Sequence, residues 1–190
     1  MIELLELVQP YLLDGRVNSL RCSTRPDYID AEVIGILKKY GMSTIELGIQ
    51  SMSDKVLSLC SRGHTSAHSE NACKLIKESG ISLVGQMMTG LPGSEPSDER
   101  YTAMRLCMAH VDAVRIYPTM VFAGTGLEEM VRDGRYVPPD EEDTIDRVAD
   151  LIEFFDANSV PIIRIGLCSG TELATDTGCL LYTSDAADEG

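Results

Sequence analysis

The chain has 190 residues, 44% of them hydrophobic, and a formal net charge of −14. That length fits one domain with a substantial core, and no apolar run approaches the length of a membrane span. The charge argues against a direct nucleic-acid grip, because phosphate binding needs clustered Lys and Arg. The opening Met1-Ile-Glu-Leu-Leu-Glu6 carries early acids and no basic stretch, unlike a secretory leader. Six cysteines (Cys22, Cys60, Cys73, Cys107, Cys168 and Cys179) are scattered with no close pair. They read as free thiols in a reducing cytosol, so a cytoplasmic protein is expected, and their spacing forms no zinc or iron–sulfur motif.

Leu and Val at helical spacing predict a helix from residue 2 to about Tyr11, with Pro10 awkwardly near its end. Val17 to Ser23 reads as a short strand. Asp30 is placed to cap a helix to about Tyr40, with Val33, Ile34 and Leu37 on one face and Gly41 as its stop. Thr44 to Ile49 reads as the next strand, and Ser53 or Asp54 starts a short helix. Ala67 to Ser79 repeats the helical period through Ala72, Leu75 and Ile76 and stops at Gly80. Leu83 to Thr89 is a continuous apolar run bounded by glycines, as in a strand buried on both faces. Asp98 to Ala109 returns to helix, Ala113 to Tyr117 to strand, and Met120 to Val137 reads as a loop. Asp140-Glu-Glu-Asp143 is the acidic, dipole-matched first turn of a helix reaching Asn158. Ile145, Val148, Leu151, Ile152 and Phe155 keep its period, and Pro161 to Gly166 gives the last strand.

Strands alternating with helices predict an α/β fold with a parallel sheet. No Gly-x-Gly-x-x-Gly follows any strand, so a barrel or partial (β/α) barrel suits the cadence better than a doubly wound sheet. Five strands are too few for a closed eight-unit barrel. Three strands end in polar or glycine-rich tips: Thr44-Ile-Glu-Leu-Gly-Ile-Gln-Ser51, Leu83-Val-Gly-Gln-Met-Met-Thr-Gly-Leu-Pro-Gly93 and Val114-Arg-Ile-Tyr-Pro-Thr119. Ligands bind at the carboxyl ends of strands in such folds, so the tips are the expected pocket.

After Leu167 the periodicity stops, and residues 169–190 are expected to be a non-core tail. Within it Cys179-Leu-Leu-Tyr-Thr-Ser-Asp-Ala-Ala-Asp-Glu189 resembles a translated transposase adapter from sequencing libraries and is set aside from fold reasoning.

With the tips laid out, residues 1–168 resemble the radical S-adenosylmethionine (SAM) superfamily. The nearest branch is that of the Elongator catalytic subunit and oxygen-independent coproporphyrinogen oxidase. Five runs in order carry the resemblance: Ser23-Thr-Arg-Pro-Asp27, Ile45-Glu-Leu-Gly-Ile-Gln-Ser51, Arg62-Gly-His-Thr65, Gly85-Gln-Met-Met-Thr-Gly-Leu-Pro-Gly93 and Val114-Arg-Ile-Tyr-Pro118. The resemblance implies a partial (β/α)6 barrel in which a [4Fe–4S] cluster on a CxxxCxxC loop cleaves SAM to a 5′-deoxyadenosyl radical that abstracts hydrogen from a substrate. It further implies a flavodoxin or ferredoxin as electron donor, and a tRNA base or a porphyrinogen as substrate, with no choice between them. This chain contains no CxxxCxxC and no glycine–glycine–glutamate second-strand tip. Its first strand therefore matches the family's third, and the chain reads as truncated at its N-terminus, the cluster's cysteines belonging to a longer parent.

By resemblance, SAM is met by Ser23, Arg25, Glu46, Gly48, Gln50, Gln86, Gly90, Pro92, Ile116 and Pro118. Each has a plainer alternative. Gln50 either meets the ribose or methionyl part of SAM or satisfies its own turn. Glu46, a costly carboxylate in a barrel interior, either contacts SAM or pairs with Arg25 or Arg115. Ser23 and Arg25 either face SAM or, for Arg25, anchor Asp27. Gln86 is a buried amide that needs partners. Gly48 lets SAM approach, and Gly90 to Gly93 either does the same or makes a tight turn. Ile116 and Pro118 either pack on the adenine or belong to the core. His64 is either a proton donor or a capping residue. Two rival functions are a cluster-free aldolase- or isomerase-like barrel, disfavoured by the scarcity of Lys at the tips, and an inert fragment or interaction module.

Overall fold

The computed structural model describes residues 2–166, so the tail expectations for 169–190 lie outside the described residues. Helix α1 (Ile2–Leu13) is followed by β1 (Leu20–Thr24), α2 (Ala31–Lys39), β2 (Met42–Gln50), α3 (Asp54–Leu59), α4 (Ser66–Ser79) and β3 (Ser82–Thr89). Then come α5 (Pro96–Met108), β4 (Ala113–Pro118), α6 (Gly126–Arg132), α7 (Glu141–Ala157) and β5 (Ile162–Ile165). The five strands lie in sequence order, every pair parallel, in an open sheet. This is the partial-barrel plan expected from the cadence of the sequence.

The helix starts follow from side chains that satisfy otherwise unpaired amides. Asp30 accepts from Val33 N, Thr65 and His68 form a reciprocal cap, and Asp140 accepts from Asp143 N. Besides shifts of two residues, such as β2 starting at Met42 and α5 at Pro96, three larger differences from the sequence reading have a physical cause. Helix α1 runs on past Pro10 because that residue still supplies its carbonyl, to Asp14 N at 3.1 Å. Strand β1 begins at Leu20, since Val17 N is bonded back to Tyr11 O at 2.9 Å. Helix α6 lies in the segment read as a loop. It is seven residues long and buries none of them, so it leaves no apolar period in the sequence.

Side chains alternate across a strand, which gives this sheet two unlike faces. Toward the helices, Ile45, Leu47, Ile49, Leu83, Met87, Val114 and Ile116 are fully enclosed with Ile76, Leu106, Leu151 and Phe155. The opposite face, the lumen of the partial barrel, carries Ser23, Glu46, Gln86 and Arg115 in neighbouring registers. Ile116 thus has its side chain in the core and not toward a ligand in the lumen; only its backbone borders the tips. Ile116→Ala is expected to lower stability by about 2–5 kcal/mol, as a large-to-small core change does. Urea unfolding followed by circular dichroism checks this, and a loss below 1 kcal/mol would contradict the packing.

Candidate functional site at the strand tips

The end of β2 is held in an uncommon backbone shape. Gln50 has φ 66°, left-handed for a residue other than glycine, and persists there because its surroundings fix it. Gly48 leaves the room: a Cβ on it would stand 3.1 Å from Gln50 Nε2, 3.5 Å from Thr24 O and 3.7 Å from a terminal nitrogen of Arg62. Arg62, brought in by the turn after α3, donates to Gly48 O at 3.4 Å and forms no ion pair among the described residues. Burial, and after it the neighbouring Arg25 guanidinium, holds Arg62 below the usual arginine range.

His64 is buried with Nε2 3.1 Å from Ile49 O. A carbonyl only accepts, so Nε2 carries the proton and Nδ1 is left as an acceptor. Burial lowers the pKa of this imidazole, which favours the neutral form. Three atoms here, Gln50 Oε1, Arg62 Nε and His64 Nδ1, are enclosed and have no hydrogen-bond partner. Buried polar atoms are nearly always satisfied, so three orphans around one tip single it out as a candidate site. Arg25 is spoken for. It donates to Asp27 at 3.0 and 2.6 Å and lies over the Tyr28 ring.

Below the tip, the lumen holds a charge network centred on Glu46, which is 4% exposed. Its Oε1 accepts from Arg115 at 2.9 Å and Arg21 at 3.0 Å, while Oε2 accepts from Gln86 Nε2 at 2.9 Å and sits 3.5 Å from Ser23 Oγ. Ser23, Glu46 and Gln86 therefore bond to one another and to the two arginines, leaving Arg115 Nε without a partner. Arg115 is the partner the sequence suggested; Arg21 takes the place that Arg25 was the other candidate for.

The β3 tip is a clamp. Gly90 (φ 69°) donates its amide to Glu99 Oε1 at 2.7 Å, and its carbonyl accepts from Tyr136 Oη at 2.5 Å. A Cβ on Gly90 would come 2.7 Å from Pro139 Cγ, so the position has no room for a side chain. Pro92 is buried in the same loop, and Pro118 is half-buried at the end of β4. Next to it Thr119 ties the two tips together by donating N and Oγ1 to Thr89 O at 2.9 and 2.6 Å. Glu99 is 3% exposed and also accepts from Arg147 at 3.1 Å, which reaches Asp143 at 3.0 Å through Nε. Burial pushes the Glu99 carboxyl up and the Tyr136 hydroxyl to about 12.

Gly48 and Gln50 are thus brought together with Arg62 and His64, while Glu46, Gln86 and Ser23 form a separate layer. Arg62 lies in the Arg-Gly-His-Thr run that carries the resemblance, and its nearness to Gly48 is set by the fold. Glu99 and Tyr136 had no sequence signal, because a Glu near a helix start reads as solvated. The tip set suits an organic zwitterion: it offers a cation with no ion pair among the described residues, an amide and a glycine in the strand. An iron–sulfur cluster does not fit, since no three His, Cys, Asp or Glu side chains gather as ligands among the described residues. The four described cysteines are free and dispersed. No helix among the described residues is long and apolar enough to cross a membrane.

The sequence profile of the radical SAM superfamily matches residues 2–106, more than half of the chain, and that of the radical SAM C-terminal domain matches 111–179. The chain belongs to the radical SAM superfamily. An uncharacterised protein of Methanocaldococcus jannaschii is 38% identical over 141 residues, 72% of this chain and 44% of that protein. A tRNA uridine(34) acetyltransferase of the same organism is 34% identical over 139 residues, 72% of this chain and 26% of that protein. Among solved structures, the archaeal Elp3 of Methanocaldococcus infernus with an N-terminal deletion superposes with a TM-score of 0.71 at 29% identity. That match covers 80% of this chain and 39% of the other. The chain therefore spans less than half the length of these relatives.

Removing Arg147 would leave Glu99 buried without its cation. Arg147→Ala is expected to cost about 3–5 kcal/mol at pH 7. A carboxyl whose pKa is raised by folding binds its proton more tightly in the folded state, so it loses stability as pH rises through the window above its usual value. Without the arginine that pKa rises further, so the deficit should shrink on acidifying from pH 7 toward 5. Urea midpoints across that range check it, and a pH-independent deficit would contradict the account.

Proposed function

We propose that the β2 tip is part of the SAM-binding wall of a radical SAM enzyme, of which this chain is the central and C-terminal part of the core. The cluster of three enclosed, partnerless polar atoms around Gln50, Arg62 and His64 supports this most directly. Arg62 supplies the cation that the methionyl carboxylate of SAM requires, and Gln50 offers an amide to its ribose or amino-acid part. Gly48 puts no side chain in the way of close approach, and the clamped Gly90 and Pro92 tip and Pro118 stand at the ends of the next two strands. Ser23, Glu46 and Gln86, expected from the resemblance to face SAM, here shape the floor beneath it. In this superfamily SAM supplies a 5′-deoxyadenosyl radical for hydrogen abstraction, the electron coming from a [4Fe–4S] cluster. The ligands of that cluster belong to the parent protein and not to the described residues.

The tRNA uridine(34) acetyltransferase among the relatives supports a tRNA base as the substrate of the parent. With a net charge of −14, this chain leaves the grip on a phosphate backbone to other segments.

Equilibrium dialysis with SAM tests the wall directly in this chain. Gln50→Ala and Arg62→Ala are each expected to weaken binding about tenfold or more, given hydrogen bonds to a charged group. Wild-type affinity in both variants would overturn the assignment. For the parent, anaerobic iron–sulfur reconstitution should yield 5′-deoxyadenosine from SAM.

A further inference from the structure

The floor of the lumen carries a charge imbalance that the SAM wall does not use. Two guanidinium groups, from Arg21 on β1 and Arg115 on β4, converge on the same oxygen of Glu46, at 3.0 and 2.9 Å. The other oxygen is taken up by the Gln86 amide at 2.9 Å. One carboxylate thus faces two cations, and among the strand residues on this face, which include a third arginine, Arg164, level with Arg115 on β5, it is the one acid. A self-contained ion pair needs a single arginine. The second comes from the edge strand and keeps 58% of its side chain exposed toward the open side of the sheet. Arg115 Nε is enclosed with no partner, and a terminal nitrogen of the same side chain stands 3.5 Å from the Tyr117 hydroxyl, a further donor. In a chain of net charge −14, a positive patch of this kind is a local construction and not the spill-over of a basic protein.

Guanidinium groups suit planar or tetrahedral oxyanions, whose oxygens accept two parallel N–H bonds. We propose that Arg21 and Arg115 form a station for an oxyanion carried by the substrate, a carboxylate or a phosphate, with Glu46 as the internal anion that holds both cations in place until it arrives. Glu46 lies four residues before Gln50 on β2, so the station is about 13 Å below the tip along the strand. The inference deepens the SAM-enzyme reading and rests on it for the word substrate.

The test is calorimetric titration of the intact chain with inorganic phosphate and, separately, acetate, in low-salt buffer. Arg21→Gln, at an exposed side chain, is expected to weaken binding of the preferred anion at least fivefold. Glu46→Gln removes the competing internal charge and is expected to tighten it at least fivefold, a gain that a purely structural ion pair would not produce. The arm that responds identifies the oxyanion. Identical titrations of both anions for wild type and both variants, with circular dichroism showing all three folded, would overturn the station. Loss of SAM binding by the wild-type chain would instead overturn the SAM wall, and SAM affinity should be unmoved in Arg21→Gln.

Discussion

Glu46 is a carboxylate almost wholly removed from water, on a strand paired on both sides. Such a group persists only where strong donors replace its hydration. Here they come from β1, β3 and β4, so one charge fixes the relative heights of four of the five strands. The apolar face of the sheet would accept several sliding registers of similar Ile, Leu and Val residues. The polar face accepts one, because a shift of a single residue would turn Arg115 or Gln86 into the core. The lumen's chemistry and the register of the sheet are therefore the same constraint.

The tips are organised on that base by different means. At β2 the backbone itself is bent into the left-handed region, and the polar atoms around it are left unsatisfied. At β3 the opposite holds: nearly every group of the Gly90 turn is bonded or packed against α5, Tyr136 or Pro139. The contrast is one of degree, since Glu99 Oε2 beside the Gly90 turn is also enclosed without a partner. The β3 side is held by bonds to α5 and Tyr136, while the β2 side keeps three polar atoms without partners.

The sequence showed the sheet and its helices plainly, since buried parallel strands are continuous apolar runs and Asp30 and Asp140 stand where caps must. It also pointed to the strand ends, where Gly48 and Gln50 interrupt apolar logic. What it could not show was direction and distance. Ile116 reads equally as core or contact until the alternation of β4 is set by its neighbours. Glu46 had candidate partners in Arg25 and Arg115 but gave no hint of Arg21, because the arginine that reaches it is set by strand register across a helix-long connection. Helix α6 carried no period because it buries nothing, and Glu99 looked like any acid in a first helical turn.

The Glu99–Arg147 pair has a consequence for how this chain can be divided. The superfamily profile stops at residue 106 and the C-terminal profile starts at 111, a seam between α5 and β4 that invites cutting. Yet the carboxylate is on one side of that seam and its guanidinium on the other, as are the Gly90 carbonyl and the Tyr136 hydroxyl that bonds it. A half-chain ending there would bare a strand edge and an enclosed acid together. The two profile segments are mechanically one piece, and the Gly90 tip keeps its shape only while the later segment is attached.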